Sequence, residues 1–299
     1  MWSDKQIALL GVQEQCLTVG EFLLREGFNI AEVVTVASSP SISGWVDIGG
    51  WCRERDIPVY EAESYSLKKD TAHFEEKQFD LGVLLGWQRL IPDSVIRAFK
   101  HGIVGQHGSA FRLPKGRGRS PINWSLIEGR DRLFWHLFEL APGVDDGDVL
   151  DVYEFDLTEH DTCKSVYEKL SRVLEAMLSR TLPRIFDGSL KKEKQAGEPS
   201  FYPKRTPEDG RVVWSQGCGE IYNLVRAVTK PYPGARAAID GENFLVWRCA
   251  IWSRELQSLF PDSKPGDVVV RADDGVVIRC GDGLLHIAME DMERLTSDS

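Results

Sequence analysis

The chain has 299 residues, 42% hydrophobic and 27% charged, and a net charge of −10. This is an ordinary globular composition with room for two domains, and its acidity argues against a broad nucleic-acid surface, which is normally basic. Six cysteines (Cys16, Cys52, Cys163, Cys218, Cys249 and Cys280) lack metal-clip spacing, MWSDKQIALLG holds no signal core, and no apolar run reaches the ~20 residues of a membrane span, so a cytoplasmic chain with free thiols is expected.

IALLG (7–11) reads as a short buried strand, 16–26 as a helix, IAEVVTVAS (30–38) as a strand, 44–55 as a helix and IPVYEA (57–62) as a strand. Such alternation predicts βαβ units and a parallel sheet. The loop after the first strand is GVQEQC, without the glycines of a dinucleotide fingerprint, which counts against a dehydrogenase. LGVLLGWQRLIP (81–92) is an apolar strand opening into a loop at Gly86, followed by a helix capped by Asp93 and ending near Lys100. IVGQHGS is the next strand, SPINWSLIEG (120–129) a short helix, RLFWHLFELA (132–141) a strand, PGVDDGDVLDVYEFDL (142–157) an acidic turn and strand, and 161–188 a long amphipathic helix. Residues 189–210 are rich in proline, glycine and charge and read as a linker. From 211 onward come a strand at 212–214, a helix at 218–229 and short β segments separated by Gly/Asp turns. The expectation is an α/β fold: a Rossmann-like, mostly parallel sheet in a domain spanning 1–188, then the linker, then a smaller C-terminal OB-like β-barrel domain at 211–299.

Residues 103–123, IVGQHGSAFRLPKGRGRSPIN, carry the strongest chemical signal. A histidine ends a buried strand beside a cationic glycine loop, and strand ends of open α/β sheets are where ligands sit. Taken alone, His107 reads as a satisfied strand-end histidine, and Asp145, Asp146 and Asp148 as turn residues. A cation site at Asp145, Asp146, Asp148 and Glu154 lacks EF-hand spacing, so no metal is expected. Lys115, Arg117 and Arg119 suit either an anionic ligand or a solvated loop, with Arg117 and Arg119 favoured for the ligand. Trp87 fits simple packing as well as a pocket.

HGSAFRLPKGRGRSPINWSLIEG, followed by GVDDGDVL and WSQGCGEIYNLVRAVTKPYPGARA, resembles the folate-dependent formyltransferases, which include methionyl-tRNA formyltransferase and the sugar N-formyltransferases. The resemblance covers nearly the whole chain. It implies a catalytic His107 and Asp145. The family's asparagine stands two residues before the histidine, where this chain has Gly105, and Gln106 and Asn123 are the nearby amides that could substitute. It places the folate pocket at Leu85, Gly86, Trp87, Arg89, Ile91, Val144 and Asp145, and substrate contacts at Arg117, Arg119 and Ser109. The implied co-substrate is 10-formyl-tetrahydrofolate. An amine attacks the formyl carbon, a tetrahedral oxyanion forms, the amine loses a proton, and the folate nitrogen gains one as it leaves. Histidine suits both proton steps.

Three functions compete: formylation of the primary amine of a nucleotide-linked amino sugar, formylation of methionyl-tRNA, and a non-catalytic folate or nucleotide-sugar sensor, for which Gly105 is the best support. RNA binding wants a basic face, and residues 211–299 hold ten Lys and Arg against thirteen Asp and Glu, so the sugar is favoured. No membrane partner is expected, and a homodimer is left open.

Overall fold

The computed structural model describes residues 2–38, 42 and 44–295; residues 1 and 296–299, the ends of the expected domains, lie outside it. Two compact units are present, one of residues 1–118, 134–154 and 169–201, the other of 119–133, 155–168 and 202–299.

In the first unit β1 (Ile7–Gly11) is buried along its whole length. It is followed by α1 (Glu14–Arg25), β2 (Ile30–Thr35), α2 (Ile48–Arg53), β3 (Val59–Glu61), α3 (Thr71–Lys77), β4 (Leu81–Leu85), α4 (Asp93–Arg97), β5 (Ile103–Ser109) and β6 (Arg117–Gly118). The chain continues through α5 (Pro121–Ile127), β7 (Arg132–Glu139), β8 (Val149–Asp156), α6 (Cys163–Phe186) and β9 (Phe201–Tyr202). Among the described residues the main sheet has order β3-β2-β1-β4-β5-β7-β8. Its β3, β2, β1, β4 and β5 pair in parallel, and β5 pairs antiparallel with β7. The apolar runs read as buried strands therefore do form the parallel core, because such strands are covered on both faces.

The ends differ from the sequence-based bounds. β2 stops at Thr35, and the second helix contracts to α2, where the Asp47 carboxylate accepts the Gly50 N–H at 3.0 Å. Only Leu81–Leu85 of the expected 81–92 strand is extended. Asp93 is the first residue of α4 rather than its cap; Pro92 takes the cap position, and Asp93 pairs with Arg97 one turn on. α3 has no counterpart among the expected elements. Its Phe74 is fully buried with Phe79, Phe99 and Trp87 in one core cluster.

The second unit contains α5, α7 (Cys218–Val228) and antiparallel strands β10 (Ala235–Ile239), β11 (Glu242–Val246), β12 (Ala250–Ser253), β13 (Val268–Ala272), β14 (Gly275–Arg279), β15 (Leu284–Ala288) and β16 (Met292–Arg294). These make a three-stranded sheet, β10-β11-β16, and a four-stranded sheet, β12-β15-β14-β13. The expected strand at 212–214 is reduced to an isolated bridge between Arg211 and Arg236. FLVWRCAIW breaks into β11 and β12. The alternating burial of β10 matches a sheet with one wet face.

One charge in this unit is buried on purpose. Arg226 is 7% exposed and donates to Asn223 Oδ1 at 2.8 Å and to the Thr158 and Asp161 carbonyls at 2.9 and 2.8 Å. Arg226→Met keeps the bulk and takes the donor from these acceptors, of which the Thr158 carbonyl keeps the Asp161 N–H at 3.2 Å; an unsatisfied buried group costs about 1–3 kcal/mol. The variant should therefore lose roughly 3 kcal/mol in urea unfolding with an unchanged slope. A midpoint equal to wild type would show that water replaces the guanidinium at no cost.

Candidate active site

Successive residues of a strand face opposite sides of the sheet. On β5 this puts Gly105, His107 and Ser109 on one face and Gln106 and Gly108 on the other. His107 is 6% exposed. Its Nδ1 lies 3.3 Å from Asp145 Oδ2, and its Nε2 lies 2.7 Å from the Gly116 carbonyl oxygen. A carbonyl only accepts, so Nε2 carries a proton. Asp145 comes from the acidic turn between β7 and β8, where it adopts a left-handed φ of +49°. Its Oδ2 also accepts the Gly118 N–H at 3.0 Å. The turn lies so close against β7 that a Cβ at Gly147 would overlap the Glu139 backbone. Two residues 38 positions apart in sequence are thus brought together, the ring buried and the carboxylate partly exposed.

His136 supports that point from β7. It faces His107 in the β5–β7 register and is 1% exposed. Its Nε2 accepts the Leu113 N–H at 3.2 Å, so Nδ1 holds the proton and donates to the His107 carbonyl at 3.3 Å. Burial, aided by neighbouring His107, pushes its pKa down to about 4. It is a fixed neutral strut between the strand and the loop that supplies Gly116.

The two proposed substitute amides are held elsewhere. Gln106 donates from Nε2 to Gln15 Oε1 at 3.0 Å, on the side of β5 away from His107. Asn123 is 1% exposed in the second unit and donates to the Ala227 carbonyl at 2.6 Å. At Gly105 itself the space is taken: a Cβ there would lie 2.8 Å from Cζ of Phe138. The opposite face repeats the device, with Trp135 covering Gly108.

Of the residues expected around folate, Leu85 is fully buried, Gly86 has φ +68° beside the Gln13 side chain, and Ile91 and Trp87 pack in the core. The buried Trp87 indole N–H has no partner among the described residues. Arg89 is exposed, with its guanidinium over the Tyr65 ring, and Val144 is 41% exposed. Leu85–Trp87 leave the carboxyl end of β4, next to β5, where open parallel sheets take ligands.

The cationic loop divides its roles. Ser109 is fully buried, and its hydroxyl closes a turn with the Phe111 carbonyl (2.9 Å) and N–H (3.2 Å). Arg117 holds Gln195 Oε1 through Nε at 3.2 Å and Nη2 at 2.6 Å. Arg119, in the second unit, donates its backbone N–H to the Tyr202 carbonyl at 3.1 Å; its half-buried guanidinium meets no hydrogen-bond or ion partner among the described residues. His136 and Gln195 escaped the sequence reading. A histidine between aromatics and a glutamine in a polar tract carry no local pattern.

A cavity of about 520 Å³ lies at the other end of β5, lined in part by Phe99, Ile103, Arg97, Lys100, Arg184 and Lys192. Three of its cations are already paired, with Asp93, Asp80 and Glu139, and it is remote from His107 along the strand. Among the described residues no group of three or more candidate ligands could hold a metal, and no helix is long and apolar enough to cross a membrane.

Residues 24–182 match the formyl transferase family and residues 204–294 match the formyl transferase C-terminal domain. The chain belongs to the formyl transferase family and is an enzyme of formyl-group transfer. Methionyl-tRNA formyltransferase of Geobacter metallireducens is 29% identical over 283 residues, 92% of this chain and 88% of the relative. The fold is shared with an N-formyltransferase from Helicobacter canadensis in complex with folinic acid and dTDP-3-aminofucose, with a TM-score of 0.71 and 16% identity over 97% of this chain and 100% of that one. It is shared also with HypX from Aquifex aeolicus in complex with tetrahydrofolic acid, with a TM-score of 0.66 and 21% identity over 98% of this chain but only 46% of HypX.

Gly105→Ala should destabilise the chain by about 1–3 kcal/mol, the usual cost of overpacking, as a lower thermal midpoint. A midpoint equal to wild type would mean that Phe138 yields without strain. His136 gives a pH signature. Its folded pKa of about 4 lies below its ordinary 6.5, so the unfolded chain takes up that proton first and stability is lost as pH falls from 6.5 to 4. The stability gap between wild type and His136→Gln should narrow across that window; a constant gap would exclude the strut role.

Proposed function

We propose that the chain transfers a formyl group from 10-formyl-tetrahydrofolate to the primary amine of a nucleotide-linked amino sugar. The observation that carries the chemistry is the His107–Asp145 contact, 3.3 Å between Nδ1 and Oδ2 at the end of a buried strand. The amine nitrogen attacks the formyl carbon and the carbonyl pair moves onto oxygen. His107 accepts the amine proton and returns it to the departing folate nitrogen. Asp145 orients the ring and stabilises the imidazolium that forms between the two transfers. In this conformation Nε2 carries a proton toward the Gly116 carbonyl; the tautomer that accepts the amine proton carries its own proton on Nδ1, facing Asp145, and leaves Nε2 bare.

The formyl donor is supported by the family and by the β4 loop. The backbone of Leu85–Trp87, at the carboxyl end of β4, is the stretch offered to a pterin, and Val144 is exposed. Folate is also the ligand class of the Helicobacter and Aquifex proteins. The sugar acceptor is supported by three features: the acidic chain, which suits RNA poorly; the Arg119 guanidinium, which has no partner among the described residues and suits a diphosphate; and the likeness to a protein that binds dTDP-3-aminofucose. Six free cysteines fit a reducing cytoplasm.

A second reading, formylation of methionyl-tRNA, is favoured by one observation, the name carried by the Geobacter relative at 29% identity. A panel of nucleotide-linked amino sugars and charged initiator tRNA, each supplied with 10-formyl-tetrahydrofolate, separates the two. Product from a sugar nucleotide is expected. Product from the tRNA alone would transfer the assignment to the second reading, and none from a broad panel would sink both. In the productive assay His107→Ala should lose nearly all turnover and Asp145→Asn about 100- to 10,000-fold, the usual range for acid–base assistance. Full activity of His107→Ala would remove His107 from the mechanism.

A further inference from the structure

The polar tract 191–200 is exposed at every position but one, Gln195, which turns inward. Its side-chain amide uses all of its bonding capacity. Nε2 donates to the Asp145 carbonyl and to the Gly147 carbonyl, each at 2.8 Å. Oε1 accepts from Arg117 Nε at 3.2 Å and Nη2 at 2.6 Å. The strap carrying it is anchored on both sides. Glu193 exchanges two backbone bonds with Val149, each 2.8 Å. The Ser200 hydroxyl accepts the Gly116 N–H at 2.9 Å, and the Ser200 carbonyl accepts the Arg117 N–H at 2.9 Å.

We infer that Gln195 is a positioning residue for the formyl-transfer site: it holds the acidic turn so that the Asp145 carboxylate stays on His107, and it ties that turn to the loop that carries Arg117 and the Gly116 carbonyl. This rests on the acid–base reading given above for His107 and Asp145. Asp145 has φ +49°, a left-handed conformation that Asp tolerates better than most residues and that contacts on either side of the bend hold in place. The two carbonyls that Gln195 captures flank the bend, one on Asp145 itself and one two residues later. The same amide also occupies Arg117. Arg117 is thereby a part of the clamp in this conformation.

Gln195→Glu separates the clamp from simple strap anchoring. It keeps the size and the acceptor for Arg117 but turns a second oxygen toward two carbonyls. With the amine identified in the panel, kcat should fall about 100-fold in Gln195→Glu and Gln195→Ala, the scale of a ~1 Å misplacement of a reacting group. The KM for 10-formyl-tetrahydrofolate should stay within about threefold, since the donor's own contacts remain. Wild-type kcat in Gln195→Glu would overturn the inference, as would a loss confined to KM. Residue-resolved hydrogen exchange gives a readout independent of turnover. The Gly118 N–H, which donates to Asp145 Oδ2, should exchange about tenfold faster or more in Gln195→Glu, while the Arg117 N–H on Ser200 keeps its protection. Unchanged Gly118 exchange would overturn the clamp even if wild type formylated no amine in the panel, an outcome that would separately remove the functional reading.

Discussion

The contact on which the site depends is the one between the His107 ring and the Asp145 carboxylate inside a wall of backbone donors and acceptors. Each group is withdrawn from water, the ring almost wholly and the carboxylate in part. An unpaired carboxylate or imidazolium is costly away from water, and here each meets a counterpart as well as a main-chain partner, Gly118 N–H for the acid and the Gly116 carbonyl for the ring. The loop that supplies both main-chain groups carries Gly116 and Gly118 at φ +72° and +101°. Substituted residues would resist those angles. The glycine spacing of KGRGR therefore serves the approach of backbone to the acid–base pair at least as much as it spaces the cations.

Charge on this loop is less free than its composition implies. Three cations in five residues look like one anion site, yet Arg117 is engaged by a neutral amide and Lys115 is exposed. Neutral partnering is informative. A glutamine can hold a guanidinium without cancelling its charge, so the loop keeps its positive field while its geometry is fixed, which an Asp or Glu at the same place would not allow.

The parallel sheet was legible because its strands are buried on both faces and so appear as continuous apolar runs bounded by glycine. His107 and Asp145 were legible only through their wider motif, since a 38-residue separation has no local periodicity to reveal it. Gln106 and Asn123 are the amides that sequence proximity offers in place of the missing asparagine. Strand alternation turns Gln106 to the far face, and Asn123 bonds Ala227 in the other unit. Gln195 was invisible for a related reason. Its tract has a linker's composition, and nothing in a polar stretch tells which single side chain folds inward. The helix and strand ends moved for local causes that composition blurs, such as Pro92 displacing Asp93 from the cap of α4.

The glycines beneath Phe138 and Trp135 have one more consequence. Gly105 and Gly108 are three residues apart and so present opposite faces of β5, and each lies under an aromatic ring of the antiparallel neighbour β7. A slip of one residue between these strands would bring Gln106 or His107 under rings that tolerate no side chain at all. The two notches act as a gauge read from both sides of the sheet at once, and only one alignment satisfies both. The side of the sheet on which the histidine emerges is thereby fixed by where side chains are missing.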